Sequence, residues 1–246
     1  MGQTTLSYYK KHAIRRYGFH GTSHKYLAET AAAMLGRPVG QLNAITCHLG
    51  NGSSVTAVEG GRSVDTSMGL TPLEGLVMGT RAGDIDPAIP LHLMRTLGAT
   101  AADMDAILNK KSGLLGLCGD NDLRAVIERR AKGDPEACLA MDVFVYRVRK
   151  YIGAYTLSLG GHVDAMVFSA GIGENSALIR SLICAGLERV GVRIDQDANA
   201  EMCGGRQGVI STPDSRVKVL VIPTDEELSI AQQTLEVVST EASAAA

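Results

Sequence analysis

The fold is decided by residues 43–58, NAITCHLGNGSSVTAV, in which two apolar runs flank the segment 48–52. The runs 43–47 and 54–58 predict two strands. The Asn-Gly pair between them predicts a β-hairpin with a type I′ turn, because that turn needs positive φ at both central residues. Successive amide groups in such a turn can form a concavity that holds an anion, and glycine lets the main chain approach a ligand closely. We therefore interpret residues 48–52 as a phosphate-binding turn.

The composition is typical of an ordinary globular protein with a sizeable core. The chain has 246 residues, of which 45% are hydrophobic and 20% are charged,. A net charge of −2 without a basic run, together with 4% aromatic residues, argues against nucleic acid as a partner,. No apolar run approaches membrane-spanning length, and five scattered cysteines predict reduced thiols and a cytoplasmic location,.

The order of predicted elements indicates an α/β layered domain. Apolar periodicity predicts strands at residues 43–49, 53–58, 61–66, 164–168 and 217–222,. It predicts helices at residues 23–35, 88–97, 101–109, 122–132, 135–159, 175–190 and 225–238, with a long loop at 68–87 and a disordered tail at 241–246,. Because a three-strand meander precedes strands that alternate with helices, we expect a mixed sheet flanked by helices in one domain, residues 1–246.

Two histidines, His20 and His24, follow a glycine and stand four residues apart. On a helix this spacing would put both side chains on one face, as in metal sites. The glycine at position 21 instead indicates that His20 lies in a loop and that Thr22 or Ser23 caps the next helix. We interpret His20 as a functional residue, and His24 as a packed or solvent-facing residue of the first turn.

Arg81 lies among glycines in the loop 78–87. Its guanidinium is a permanently charged fork of donors that suits a phosphoryl oxygen or a carboxylate. The alternative is a surface arginine paired with Asp84 or Asp86, and the sequence leaves both interpretations open.

Two segments near helix starts have the residue types of a nucleotide site. Residues 169–175 follow a predicted strand and resemble part of a dinucleotide-binding motif, although Ser176 replaces the third glycine,. They are compatible with close backbone approach to a flat ligand such as adenine. Before the last predicted helix, Thr224 and Glu227 form a capping box, which leaves Glu226 either as a magnesium ligand or as an exposed glutamate.

Taken together, these segments resemble the acetate kinase family of the sugar kinase, Hsp70 and actin superfamily. The matching stretches are residues 15–24, 48–54, 65–75, 78–90, 168–176 and 222–228. The likeness runs from about Tyr8 to about Thr234. The resemblance implies a ribonuclease H-like fold, homodimers formed through this domain, and Mg2+-dependent transfer of the γ-phosphoryl group of ATP to acetate. The products are acetyl phosphate and ADP, and the reaction is reversible.

The resemblance also implies roles for individual residues. It assigns charge stabilisation on the transferred phosphoryl group to His20 and Arg81. It assigns contact with the nucleotide phosphates to His48, Leu49, Gly50, Asn51 and Gly52. Binding of the nucleoside is assigned to Asp122, Leu123, Arg124, Gly171, Ile172, Gly173, Glu174 and Asn175. The acetate methyl pocket is assigned to Phe19 and Pro72, and the magnesium ion to Glu226.

The sequence departs from the family pattern in one respect. Members have two domains of related fold, and this sequence matches the second, C-terminal one. A phosphate loop, an asparagine near the magnesium ion, an arginine that holds acetate and a catalytic aspartate are not found in it. We therefore expect the chain to supply the nucleotide-binding half of the site and to be weakly active or inactive alone. The alternatives are a non-catalytic nucleotide-binding or dimerisation module, and a propionate or butyrate kinase.

Overall fold

The computed structural model describes residues 6–225 and, beyond them, residues 227, 230, 231, 234, 235 and 238. In chain order the elements up to the third strand are α1 (Leu6–His12), α2 (Gly21–Met34), β1 (Ala44–Leu49), β2 (Ser53–Glu59) and β3 (Arg62–Thr66). Five helices follow: α3 (Ala88–Leu97), α4 (Ala101–Lys110), α5 (Gly113–Cys118), α6 (Leu123–Ala131) and α7 (Pro135–Ser158). The chain continues with β4 (Ala165–Ser169), α8 (Ala170–Asn175), α9 (Ala177–Cys184), α10 (Gln196–Glu201), β5 (Gly208–Val209) and β6 (Lys218–Val221). The predicted tail 241–246 lies outside the described residues, and so does much of the predicted helix 225–238.

The six strands form one mixed sheet in the order β3-β2-β1-β4-β6-β5. Strands β1, β4 and β6 run parallel, whereas β2, β3 and β5 pair antiparallel to their neighbours. This confirms the predicted α/β class with a mixed sheet that begins as a meander. The parallel strands are almost entirely buried because helices cover both faces of the sheet,.

Alternation along β1 separates the two sides of the sheet. Ile45, Cys47 and Leu49 point into the larger core, which contains the buried faces of α6, α7 and α9,. Ala44 points the other way, into a smaller core formed with Leu27 and neighbouring residues of α2. Each apolar side chain therefore has a helix to pack against, which fixes the register of the strand.

Towards the carboxyl end of β1, the side of the sheet that faces α2 becomes polar. Thr46 and His48 follow Ala44 on this side, and they stand opposite Thr56 and Ser54 across the hairpin. Thr46, Ser54 and Thr56 are fully or almost fully buried, whereas His48 is partly exposed. Buried polar groups need hydrogen-bond partners, so this end of the sheet is where a functional site is expected.

The hairpin turn differs from the predicted type I′ turn. Leu49 pairs with Ser53, so three residues make the connection, and Asn51 and Gly52 are not among the described residues with positive φ. The Gly50 amide donates to the Gly52 carbonyl at 3.1 Å, which closes the loop. An extra residue removes the need for the left-handed conformation at both central positions.

Two helix predictions were also wrong, one in its cap and one in its continuity. Helix α2 begins directly after His20, which has a φ of 59° and no capping side chain, so neither Thr22 nor Ser23 is the cap. The single helix predicted at 175–190 is divided into α8, α9 and a short 3-10 turn, since Ser176 leaves the helical conformation and caps α9 through its hydroxyl. The sequence analysis missed α1, α5 and α10, which have six or seven residues each and hence too few turns to show a period,.

No helix in the described part of the chain is long and apolar enough to span a lipid bilayer.

Candidate functional site

Three histidines meet on the polar side of the sheet. The rings of His20 and His48 stack with centroids 4.0 Å apart and an interplanar angle of 16°. The His24 ring lies 6.4 Å from that of His20 and 6.3 Å from that of His48. His20 precedes α2, His24 lies in its first turn, and His48 is the penultimate residue of β1, so the start of a helix meets the end of a strand here.

Hydroxyl groups hold the three imidazoles in place. His24 lies between Thr46 Oγ1, 2.7 Å from its Nδ1, and Ser54 Oγ, 2.7 Å from its Nε2. The same Ser54 hydroxyl lies 2.9 Å from His20 Nδ1, and Ser23 Oγ lies 2.9 Å from His48 Nδ1. His24 is therefore a buried member of a hydrogen-bonded cluster, which agrees with the packed interpretation and excludes the solvent-facing one.

Burial keeps these imidazoles neutral at pH 7. It lowers the pKa of His24 to about 3, with smaller contributions from His48 and His20. Burial and the neighbouring His20 lower the pKa of His48 to about 4. For His20, burial and the Arg81 guanidinium both lower the pKa. Each ring therefore carries one proton, and it donates from one nitrogen and accepts at the other.

Arg81 approaches the same place from the loop between β3 and α3. A Cβ atom placed on Gly52 would lie 3.4 Å from Arg81 Nη1 and 3.6 Å from His20 Nε2, so the two side chains border one gap beside the hairpin. Arg81 Nη1 also donates to the Pro72 carbonyl at 3.1 Å. We call this space the Gly52 gap; it is bordered by a permanent positive charge and an imidazole nitrogen.

Among the described residues, Arg81 forms no ion pair with the carboxylates near it in sequence. The Asp84 carboxylate lies 3.0 Å from Arg147 and accepts from the Tyr151 hydroxyl at 2.8 Å and from the Gly75 amide at 2.9 Å. Asp84 thus fixes the loop to α7, and it leaves the Arg81 side chain directed to the gap. This role of Asp84 was not predicted from the sequence.

A cavity of about 740 Å³ opens on the other side of the hairpin. Three segments that are remote in sequence converge on it. Of the residues assigned by resemblance, those that line it are Gly50, Asn51, Asp122, Leu123, Arg124, Gly171, Ile172 and Asn175. The other lining residues are Gly79, Leu114, Asn121, Ile127, Phe144 and Ser176. This cavity, which we call the larger cavity, therefore has apolar walls and a rim of amide, carboxylate and guanidinium groups.

Comparison with known proteins identifies the family. The model of the acetokinase family matches residues 3–232. This chain belongs to the acetokinase family. It is 57% identical over 234 residues to an acetate kinase of Methanosarcina thermophila, an alignment that covers 95% of this chain and 57% of that protein.

Solved structures agree with this membership. A crystal structure of Porphyromonas gingivalis acetate kinase superposes with a TM-score of 0.93 at 43% identity and covers 97% of this chain and 59% of that one. A propionate kinase from Francisella tularensis superposes with a TM-score of 0.87 at 47% identity and covers 94% and 58%. The chain thus spans somewhat more than half the length of the acetokinases it matches.

Not all residues assigned by the acetokinase resemblance line the larger cavity. Leu49 is fully buried in the larger core, and Gly173 packs against the backbone of β4 and β1. Glu174 accepts a hydrogen bond from the Thr224 amide at 2.9 Å. Phe19 lines a separate cavity of about 230 Å³ beside α2. Glu226 lies outside the described residues.

Within this acetokinase chain, Asp122 has a local structural role. Its carboxylate caps α6 by accepting from the Arg124 amide, and it pairs with the Arg124 guanidinium at 2.6 Å. These hydrogen bonds lower the pKa of Asp122 to about 2. Since the pair lies on the cavity rim and Arg124 is largely exposed, the guanidinium remains accessible to a ligand.

Arg180, which was not predicted from the sequence, binds the backbone of α8 behind the cavity wall. Its fully buried guanidinium donates to the carbonyls of Gly173 and Glu174, each at 2.8 Å, and to the side chain of Asn199 at 2.7 Å. These contacts fix the carboxyl end of α8, whose first turn lines the cavity. An arginine inside the apolar stretch 177–184, ALIRSLIC, was the available sequence signal.

Proposed function

We propose that this chain forms the C-terminal, nucleotide-binding domain of a Mg2+-dependent acetate kinase. The reaction is the reversible transfer of the γ-phosphoryl group of ATP to acetate, with acetyl phosphate and ADP as products. The observation that carries the proposal is the arrangement around the hairpin. The larger cavity lies on one side of residues 50–52, and the Gly52 gap with Arg81 and His20 lies on the other.

The larger cavity suits ATP or ADP. Its volume lies within the range of about 300–1,000 Å³ that is usual for small-molecule sites. Leu123, Ile127 and Ile172 offer an apolar surface for a flat base, and Gly171 allows the chain to approach it closely,. The nucleotide phosphates would then run along Gly50 and Asn51 towards the gap.

The gap suits a phosphoryl group in transfer. Such a reaction depends on alignment and charge neutralisation more than on covalent chemistry by the protein. Arg81 supplies a permanent positive charge. His20 supplies one N–H hydrogen-bond donor even as a neutral imidazole,. His48 supports the His20 ring by stacking against it.

The described side chains are compatible with Mg2+ as a partner of the phosphates. They contain no cluster of three or more His, Cys, Asp or Glu residues that would hold a metal ion without other ligands. Magnesium usually keeps several waters and takes one or two carboxylates together with substrate phosphates. Glu226, just after Asp225 at the start of the last predicted helix, is the carboxylate we propose for it. When bound, the ion neutralises phosphate charge.

We further propose Phe19 and Pro72 as the wall for the acetate methyl group. The Pro72 carbonyl accepts from Arg81 and so adjoins one donor of the gap, whereas Phe19 directly precedes His20 in the chain and borders the separate cavity beside α2. We expect the chain alone to be weakly active or inactive, to form a homodimer, and to reside in the cytoplasm. The described cysteines are all free thiols, in agreement with a reducing compartment,.

Calorimetry with the 246-residue chain tests the nucleotide site. We expect ADP binding, and Arg124→Ala should weaken it by about 10-fold or more because a hydrogen bond to a charged group is lost, which costs about 1.5 kcal/mol or more. Arg130→Ala is the matched control. It removes an arginine from the same helix that pairs with Asp142 and does not line the cavity. Absence of ADP binding by the folded wild-type chain would refute the proposed function.

A propionate kinase is the second candidate, because the Francisella tularensis protein of that name superposes closely on this chain. A steric pocket for one methyl group discriminates only weakly against a longer acid. Turnover of acetate and propionate by the active enzyme separates the two.

A further inference from the structure

Four side chains form a continuous line of hydrogen bonds into the Gly52 gap. Thr46 Oγ1 lies 2.7 Å from His24 Nδ1, His24 Nε2 lies 2.7 Å from Ser54 Oγ, and Ser54 Oγ lies 2.9 Å from His20 Nδ1. Thr46 and Ser54 are fully buried, and His24 is 5% exposed. Only the last member, His20, reaches the gap, through its Nε2 atom.

The buried threonine determines in which direction these bonds run. Within the described part of the chain, the hydroxyl of Thr46 has one hydrogen-bond partner, His24 Nδ1. A buried O–H group must find an acceptor, so this hydroxyl donates to Nδ1. The opposite direction would leave the Thr46 proton unpaired in the interior, which carries the full penalty of a lost hydrogen bond.

Each neutral imidazole ring has one N–H donor, and this fixes the positions of the remaining protons. Because His24 accepts at Nδ1, its proton is on Nε2 and is donated to Ser54 Oγ. The Ser54 hydroxyl then donates to His20 Nδ1, which leaves the His20 proton on Nε2. The low pKa of His24, about 3, supports a neutral ring at this point of the line. Ser23 and His48 repeat the pattern, since Ser23 is also fully buried and its hydroxyl pairs with His48 Nδ1.

We infer that Thr46, His24 and Ser54 are positioning residues that fix His20 as a neutral imidazole with its proton on Nε2. In this tautomer His20 donates a hydrogen bond into the Gly52 gap beside Arg81. The lone pair on Nε2 then belongs to the aromatic π system, so this nitrogen serves neither as a base nor as a nucleophile towards phosphorus. The inference deepens the proposed function, since it takes the occupant of the gap to be a phosphoryl group.

The tautomer is directly measurable by NMR on the whole chain labelled with 15N at histidine. Correlation of each ring nitrogen with the ring carbon protons distinguishes a protonated nitrogen from one with a lone pair. The His20 signals are assigned from the spectrum of His20→Asn. We expect a protonated Nε2 and an unprotonated Nδ1 at pH 7 for His20, and the same for His24. A proton on His20 Nδ1 in the wild-type chain would overturn the inference.

Two isosteric substitutions test whether Thr46 sets the direction. Thr46 and Thr56 stand opposite each other in the hairpin, are equally buried, and differ in their partners, since Thr56 pairs with Thr66 instead of a histidine. In Thr46→Val we expect the Nδ1-protonated form of His20 to rise and ATP binding to weaken by about 3- to 10-fold relative to ADP binding. Thr56→Val should leave both unchanged.

The outcomes separate this inference from the proposed function. If His20 has the expected tautomer and responds to Thr46→Val, the proton order stands even if the chain binds neither ATP nor ADP, and only the proposed function fails. If the chain binds ADP but His20 is unaffected by Thr46→Val, or responds equally to Thr56→Val, the inference is overturned and the nucleotide site stands.

Discussion

Replacing Gly52 with alanine should separate ATP binding from ADP binding. The new Cβ atom would lie 3.4 Å from Arg81 Nη1 and 3.6 Å from His20 Nε2, which are ordinary van der Waals distances. Gly52 is not among the described residues with positive φ, so alanine adds no backbone strain. The fold should remain intact, and the free energy of unfolding should change by no more than about 1 kcal/mol.

The methyl group would, however, occupy the place where we expect the γ-phosphoryl oxygens. An oxygen that accepts from both donors must lie about 2.7–3.0 Å from each nitrogen, and the methyl group fills that volume. Loss of one hydrogen bond to a charged group costs about 1.5–3 kcal/mol, which corresponds to a Kd for ATP roughly 10- to 100-fold weaker. ADP lacks the γ-phosphoryl group, so its Kd should change by less than about twofold.

The assay is calorimetric titration of the 246-residue chain with ATP and with ADP in the presence of Mg2+. Gly153→Ala in α7 is the control, because a Cβ atom there would meet nothing within 4 Å and the residue is exposed. Equal losses of affinity for ATP and ADP would indicate that a phosphate group common to both nucleotides occupies the Gly52 gap. Unchanged affinity for both would mean that no phosphoryl group enters the gap. Either result refutes the reasoning.

Two further predictions concern stability. The pKa values of His24 and His48 are lowered on folding, to about 3 and about 4, so the unfolded chain binds protons first as the pH falls. The stability that depends on these neutral rings is complete above about pH 6.5, and below it each histidine costs up to about 1.4 kcal/mol per pH unit. Urea unfolding at pH 7.5 and 5.5 measures this loss, and identical free energies of unfolding would contradict it. Gly83→Ala should destabilise the fold by more than about 2 kcal/mol, because φ is +71° and the added Cβ would lie 2.3 Å from the Leu76 carbonyl oxygen,. The same urea titration checks it, and an unchanged midpoint would show that the loop tolerates the strain.

Local patterns were sufficient to predict five of the six strands, all except the two-residue β5, and the longer helices. The hairpin strands were predicted within one residue at each end, because their apolar runs and glycines are local signals,. The sequence alone does not decide between a packed and a solvent-facing His24, although Thr46, His48 and Ser54 mark one side of the hairpin as polar. Alternation shows that these side chains share a side, but only the packing of α2 shows that a histidine lies among them.

The surroundings of Arg81 lay beyond sequence reasoning for a different reason. Its nearest carboxylates in sequence, Asp84 and Asp86, are the obvious local partners. Asp84 is instead held by Tyr151, 67 residues away, and by Arg147, and Asp86 accepts from the amide of Ala88. A contact between a loop and a helix that follows four other helices carries no periodic signal. The direction of an arginine in a glycine-rich loop therefore depends on tertiary contacts.

The same long helix connects both parts of the candidate site. Arg147 and Tyr151 of α7 hold the loop that carries Arg81, and Phe144, about one turn from Arg147 and two turns from Tyr151, forms part of the cavity wall,. Helices α6 and α9 also pack against α7. Because a 24-residue helix is stiff, the distance between the proposed nucleoside cavity and the proposed phosphoryl site is fixed by a single element,. Phosphoryl transfer requires alignment within fractions of an ångström, and a rigid element that holds both proposed sites would provide it.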